Sequence, residues 1–180
     1  MNDYHKFSCG HTIYSTLTQL YRHSSWAQET YGKFEADHKA TLNELCTISM
    51  SGPRGTGWDT GLSMFIENEI IDDTELPSYP SSKKDAIVIC PTIAMAELLI
   101  DKFKNTTGNK FDFMNSNHAS ILITSLGSND FLGFNTNKII FHNYTLMKKI
   151  PLHKKKLKQV EHSLIPVISS HKKKFLIKIC

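Results

Sequence analysis

The residues most open to a chemical reading are consecutive: Ser51-Gly52-Pro53-Arg54-Gly55-Thr56-Gly57-Trp58-Asp59-Thr60. Gly52 and Gly57 keep the G-x-x-x-x-G spacing of a loop whose backbone N–H groups wrap a phosphate. In such loops a lysine follows the second glycine and reaches the β- and γ-phosphates. The hydroxyl residue after it holds Mg²⁺. Here Trp58 and Asp59 stand in those two places. Arg54 is the one cation of the stretch, and it could take over part of the lysine's work. The candidate nucleotide-binding set is therefore Gly52, Arg54, Gly55, Thr56, Gly57, Asp59 and Thr60. A structural reading competes: three glycines form a tight turn, Trp58 plugs the vacated phosphate space, and Asp59 favours a helix start through the dipole.

The loop has chemical meaning only between a strand and a helix, where N–H groups converge on a helix N-terminus. The flanking pattern supplies that context. Thr47–Ser51 reads as a short strand, and Leu62, Phe65, Ile66 and Ile70 mark a helix after the loop. Upstream, Ile13, Leu17, Leu20 and Tyr21 give an amphipathic helix within 12–32. Phe34, His38, Leu42 and Leu45 predict a second one over 34–46. Downstream, Ala86-Ile87-Val88-Ile89-Cys90 is an apolar run suited to a strand buried on both faces. Met95, Leu98, Leu99 and Phe103 form the buried stripe of a helix over 94–104. Residues 120–124, 138–142 and 174–180 predict three further strands. Alternating strands and helices imply an α/β domain with a mostly parallel central sheet in a three-layer sandwich, preceded by one or two helices. The organisation is one domain over 1–180: a helical lead-in at 1–46, a core at 47–145 and a basic part at 146–180.

Four segments in order resemble the ATPase core of large terminases, the DNA-packaging motors of tailed phages and herpesviruses, and more loosely superfamily 2 helicases. They are Arg54-Gly55-Thr56-Gly57; the strand Ile87–Cys90 with Pro91-Thr92 and its helix; Ile121–Ser125 through Leu132-Gly133; and Ile139-Ile140-Phe141-His142-Asn143. The resemblance spans roughly residues 45–145. It implies a P-loop NTPase fold, with ATP or another nucleotide as the ligand. The departures bear on mechanism. Trp58 replaces the lysine, His142 the acidic residue that would organise Mg²⁺, and Asn143 the glutamate that would activate water. Each removes charge stabilisation where charge develops, so the resemblance implies a pseudo-ATPase with Mg²⁺ doubtful and no catalytic residue retained. The stretch 51–60 is also similar to the loop of phage-type deoxynucleotide kinases, differing mainly at Trp58.

The composition sets outer limits. With 40% hydrophobic and 10% aromatic residues, a chain of this length builds a core and is not disordered throughout. No apolar run approaches the ~20 residues that span a bilayer, so the expectation is a cytoplasmic protein without membrane contact; the resemblance to terminases implies a viral protein. Cys9, Cys46, Cys90 and Cys180 lack paired spacing and read as free thiols. Cys9-Gly10-His11 has no second ligand pair, so no metal site is assigned. The net charge of +4 is unevenly spread. Lys148-Lys149, Lys154-Lys155-Lys156, Lys158 and Lys172-Lys173-Lys174 meet one acidic residue, Glu161. Lys154, Lys155, Lys156, Lys172, Lys173 and Lys174 are candidate nucleic-acid contacts, although lysine runs are commonly solvated surface. Three function classes remain: a binding or regulatory relative of an ATPase acting with DNA or a protein complex, an atypical ATPase using Arg54, and an interaction module that has kept only the fold.

Overall fold

The computed structural model describes residues 13–23, 45–51, 57–70, 85–107, 121–128, 130, 131, 134, 136, 138–167 and 174–180. Helix α1 covers residues 13–23. Strand β1, Leu45–Met50, precedes helix α2, Trp58–Phe65, which runs on into a wider π-helical turn at Ile66–Ile70. Strand β2 is Ala86–Cys90, helix α3 Ile93–Thr107 and strand β3 Ile121–Ser125. Strand β4, Lys138–Phe141, is followed by helices α4, Tyr144–Lys149, and α5, Pro151–Val167, and by strand β5, Lys174–Ile179.

The five strands form one sheet in the order β1-β5-β4-β2-β3, and every pair is parallel. A parallel sheet is stable when both faces are covered. The all-buried run of β2 fits its near-central place: Val88 lies opposite Ile123 on one side and Ile140 on the other. From β1 to β2 to β3 the chain moves across the sheet in one direction, and from β3 to β4 to β5 it returns. Right-handed crossovers then place the helices of the two halves on opposite faces.

The two cores follow from that winding and from the two-residue period of the strands. On one face Ile48, Val88, Cys90, Ile140 and Ile177 pack with Leu62 and Phe65 of α2 and Leu99 and Phe103 of α3. On the other, Ile87, Ile89, Ile139, Phe141 and Leu176 pack with Met147 of α4 and Leu157 and Val160 of α5. Helix α1 joins the first core through Leu17 and Tyr21. The Tyr21 ring meets Phe65 edge-on at 5.4 Å and lies 4.7 Å from Phe175. Burial, helped by the charge of Glu69, pushes the Tyr21 phenol up to about 12. The Arg22 guanidinium donates to both carboxylate oxygens of Glu69, at 2.9 and 2.7 Å.

The expected α/β class, parallel sheet and three layers are all present, and several local readings need correction. Leu45 and Cys46, expected at the end of a helix over 34–46, begin β1 instead. In-register pairing of Leu45 with Lys174 and Cys46 with Phe175 outweighs their helical spacing. The positions 34, 38 and 42 of that stripe lie outside the described residues. Leu98, expected in the buried stripe of α3, is 66% exposed. Ala96 and Ile100 are buried with Leu99 and Phe103 instead; these four keep the i, i+3, i+4, i+7 spacing of one helix face, and Leu98 falls on the opposite side. Leu20 in α1 is likewise partly exposed. The helices α4 and α5 correspond to no predicted element.

Candidate functional site

A cleft of about 800 Å³ opens at the carboxyl ends of the strands, where open parallel sheets bind their ligands. Its walls come from both halves of the winding. Ser51 after β1, Ile179 and Cys180 at the end of β5, and His142 and Asn143 after β4 form the sheet edge. Gly57 to Thr60 at the start of α2 close one side. Met95, Leu98, Leu99 and Lys102 of α3 and Thr145, Leu146 and Lys149 of α4 complete it.

The turn into α2 explains Gly57. Its φ of 79° lies in the left-handed region, which costs a side chain energy that glycine avoids. From there the Gly57 carbonyl accepts the Gly61 N–H at 2.8 Å and starts the helix. Trp58 is the first helical residue, half-buried, lining the cleft and packed against the first core. Residues Gly52, Arg54, Gly55 and Thr56 lie outside the described residues, so the described half of the loop is Gly57 onward.

Asp59 and His142 meet across the cleft. His142 Nε2 donates to Asp59 Oδ1 at 2.8 Å. The His142 side chain is 9% exposed and the Asp59 side chain 43%. The hydrogen bond from His142 holds the Asp59 carboxyl below its usual range; partial burial opposes the shift, and the charges of His142 and Lys102 reinforce it. Asp59 also sits in the first turn of α2, where the N–H groups and the dipole favour an anion. His142 is placed by its backbone: its N–H donates to the Ile89 carbonyl at 3.0 Å, carrying the β4–β2 ladder one residue further. Its Nδ1 is buried without a hydrogen-bond partner among the described residues.

Asn143 is explained by the turn between β4 and α4. It has a φ of 59°, and asparagine tolerates this left-handed conformation better than most residues. Its carbonyl accepts the N–H groups of Leu146 and Met147 at 3.1 and 3.3 Å. The second segment of the resemblance works as a cap: Thr92 Oγ1 accepts the Met95 N–H at 3.3 Å at the start of α3. In the third, Ser125 Oγ accepts the Ser128 N–H at 3.3 Å and holds the turn after β3. Cys90, at the end of β2, is fully buried, and burial with the nearby Asp59 charge pushes its thiol up to about 12.

The structure thus brings together Gly57, Trp58, Asp59, Thr60, His142 and Asn143. Of the candidate lysines, Lys154, Lys155 and Lys156 do not line the cleft. Lys154 and Lys155 are exposed on α5, and the Lys156 ammonium donates to the Gly127 carbonyl at 2.7 Å. Lys172 and Lys173 lie outside the described residues, and the backbone of Lys174 opens β5. Sequence reasoning missed Lys102, Lys149 and Cys180 in the cleft; only Cys180, at the end of a parallel strand, carried a positional signal. Among the described residues no group of three or more His, Cys, Asp or Glu could hold a metal ion. No helix among them is long and apolar enough to cross a membrane. Compared with known families and with curated proteins, the chain matches no family model and no curated sequence.

Proposed function

We propose that this chain is a catalytically degenerate P-loop NTPase-like domain, a binding or regulatory protein of a nucleic-acid complex rather than a motor. The observation that carries the reading is the Asp59–His142 hydrogen bond at 2.8 Å. In a phosphate loop that hydrolyses nucleotide, the hydroxyl after the lysine and the acidic residue after the second motif strand share one Mg²⁺. Asp59 and His142 occupy those two positions of the resemblance and bind each other. A carboxylate stands on the helix and a nitrogen donor follows the strand, and the two bind each other directly at 2.8 Å.

The same exchange works against a bound phosphate. An ionised Asp59 in the first turn of α2 already supplies the negative charge that a helix N-terminus attracts. Trp58 brings a half-buried ring where the phosphate-reaching ammonium would extend. With the lysine, the Mg²⁺ ligand and the water-activating glutamate all replaced, no group remains in those places to offset charge on a transferring phosphoryl group.

The test is a thermal-shift titration with ATP, ADP and dGTP, each with and without Mg²⁺, run beside a phosphate-release assay. The expected result is no phosphate release and no Mg²⁺-dependent rise in melting temperature. A ligand at a hundredfold excess over its Kd stabilises by about 2.7 kcal/mol, so binding is visible where it occurs. Mg²⁺-dependent ATP turnover that Arg54→Ala abolishes would replace this reading with that of an atypical ATPase.

A further inference from the structure

From Tyr144 to Val160 the sequence holds six lysines and no acidic residue, and the fold sorts those lysines into different tasks. Lys156 is committed to the Gly127 carbonyl, and Lys149 lines the cleft. The other four are exposed. Lys148 reaches back to lie 4.8 Å from the centre of the Tyr144 ring on α4, the helix that leads into α5. Lys154, Lys155 and Lys158, three and four residues apart, share one side of α5. Leu157 and Val160 are buried on the other side against the second core.

We propose that this lysine face of α4 and α5 binds the phosphate backbone of nucleic acid without reading its sequence. The charges form a compact array: Lys154 and Lys158 are one helical turn apart, about 6 Å along the axis. A duplex presents one negative charge per ~1.7 Å of axis, so such an array meets phosphates in any register. Over Pro151–Val160 the exposed arc carries no Phe, Tyr or Trp that would stack on a base. Besides the three lysines it holds Pro151, Leu152 and Gln159. Among the described side chains of α5, Leu152, 86% exposed, is the one large apolar side chain that is exposed. A helix that lies on a membrane inserts a whole apolar face and keeps its lysines on the other. Here Leu157 and Val160, the buried apolar residues among the described side chains of α5, are spent on the core, which favours a nucleic-acid partner over a lipid surface. The proposal does not depend on what the cleft binds.

The salt dependence of binding to a labelled 20-base-pair duplex, followed by fluorescence anisotropy between 50 and 200 mM NaCl, tests it. Four lysine–phosphate contacts give a slope of log K against log salt of about −3.6, from −0.9 per contact. The triple variant Lys154→Gln, Lys155→Gln, Lys158→Gln is expected to bring the slope near −1, with the same effect on two unrelated duplex sequences. All three side chains are exposed, so the variant is expected to melt where the parent does. Should it melt lower, the pair Lys155→Gln, Lys158→Gln gives an intermediate slope of about −1.8. Absence of duplex binding at 50 mM salt, an unchanged slope in the variants, or capture by phosphatidylserine vesicles without duplex binding would each overturn the proposal.

Discussion

His142 and Asp59 are joined by a 2.8 Å hydrogen bond that ties the residue after β4 to the first turn of α2. Strand β5 lies between β4 and β1 in the sheet, so the pair bridges two loops that are not next to each other in the layer below. It fastens the mouth of the cleft from one side to the other.

Asp59→Ala should therefore lower stability more than a typical surface change. The substitution leaves His142 Nε2 without its acceptor in a side chain that is 9% exposed. An unmade hydrogen bond to a buried group costs about 1–3 kcal/mol. The 43% exposure of Asp59 admits water and places the loss near 1 kcal/mol. For a domain of this size that is a fall of about 2–4 °C in melting temperature. An unchanged melting temperature would mean that the pair carries no stabilisation.

The pair also sets an acid limit. Because the folded Asp59 carboxyl titrates below its ordinary value of 3.8, its contribution is present above about pH 4 and lost as pH falls through the folded value. Melting temperatures of the parent and of Asp59→Asn, measured from pH 5 to pH 2.5, should differ at pH 5 and converge below pH 4. A gap that stays constant to pH 2.5 would remove Asp59 from the acid transition.

Two cysteines should separate cleanly by reactivity. Cys90 is fully buried with its thiol pushed up to about 12, and the thiolate is the reacting form. Cys180 is half-buried at the cleft. Brief iodoacetamide treatment followed by peptide mass mapping should find Cys180 alkylated and Cys90 unmodified until denaturant is added. Modification of native Cys90 would contradict its burial.

Leu98 and Leu99 test the rotation of α3. Leu98→Asp should change the melting temperature by no more than about 1–2 °C, because the side chain is 66% exposed. Leu99→Asp places a carboxylate at a site 1% exposed and should cost more than about 4 kcal/mol. Circular dichroism melts of the two variants decide it, and similar losses would restore the apolar stripe expected from sequence.

What the sequence made legible followed from burial. The run Ala86–Cys90 is buried along its whole length, so its composition alone marks a strand. Leu62, Phe65, Ile66 and Ile70 are all buried because α2 and its extension pack into the first core, and their spacing records it. The reading failed where polarity and packing disagree. Helices α4 and α5 bury only Tyr144, Met147, Leu157 and Val160 among their described side chains, and the lysines between mask that narrow stripe. Leu45 fits a helical spacing with Leu42 and His38 until β5 is there to pair with it.

The candidate site was legible by position and not by contact. Trp58, Asp59, His142 and Asn143 each stand out as departures from the resemblance, taken singly. Read as a pair, a carboxylate in place of a hydroxyl and an imidazole in place of a carboxylate complement each other, and that was the available signal for the bond between them. For Asn143 the left-handed turn gives a local reason that no motif comparison contains.

The place of β5 has a consequence for how the molecule is made. This strand, which follows the other four in the chain, is the one that lies between β1 and β4. On the ribosome, β2, β3 and β4 can pair as they emerge, while β1 waits for Lys174–Ile179. Until that segment arrives, the nascent chain carries an unpaired strand edge next to its longest-range contacts. Such an edge closes slowly and is exposed to mispairing meanwhile. The keystone of the sheet is also the hazard of its biogenesis.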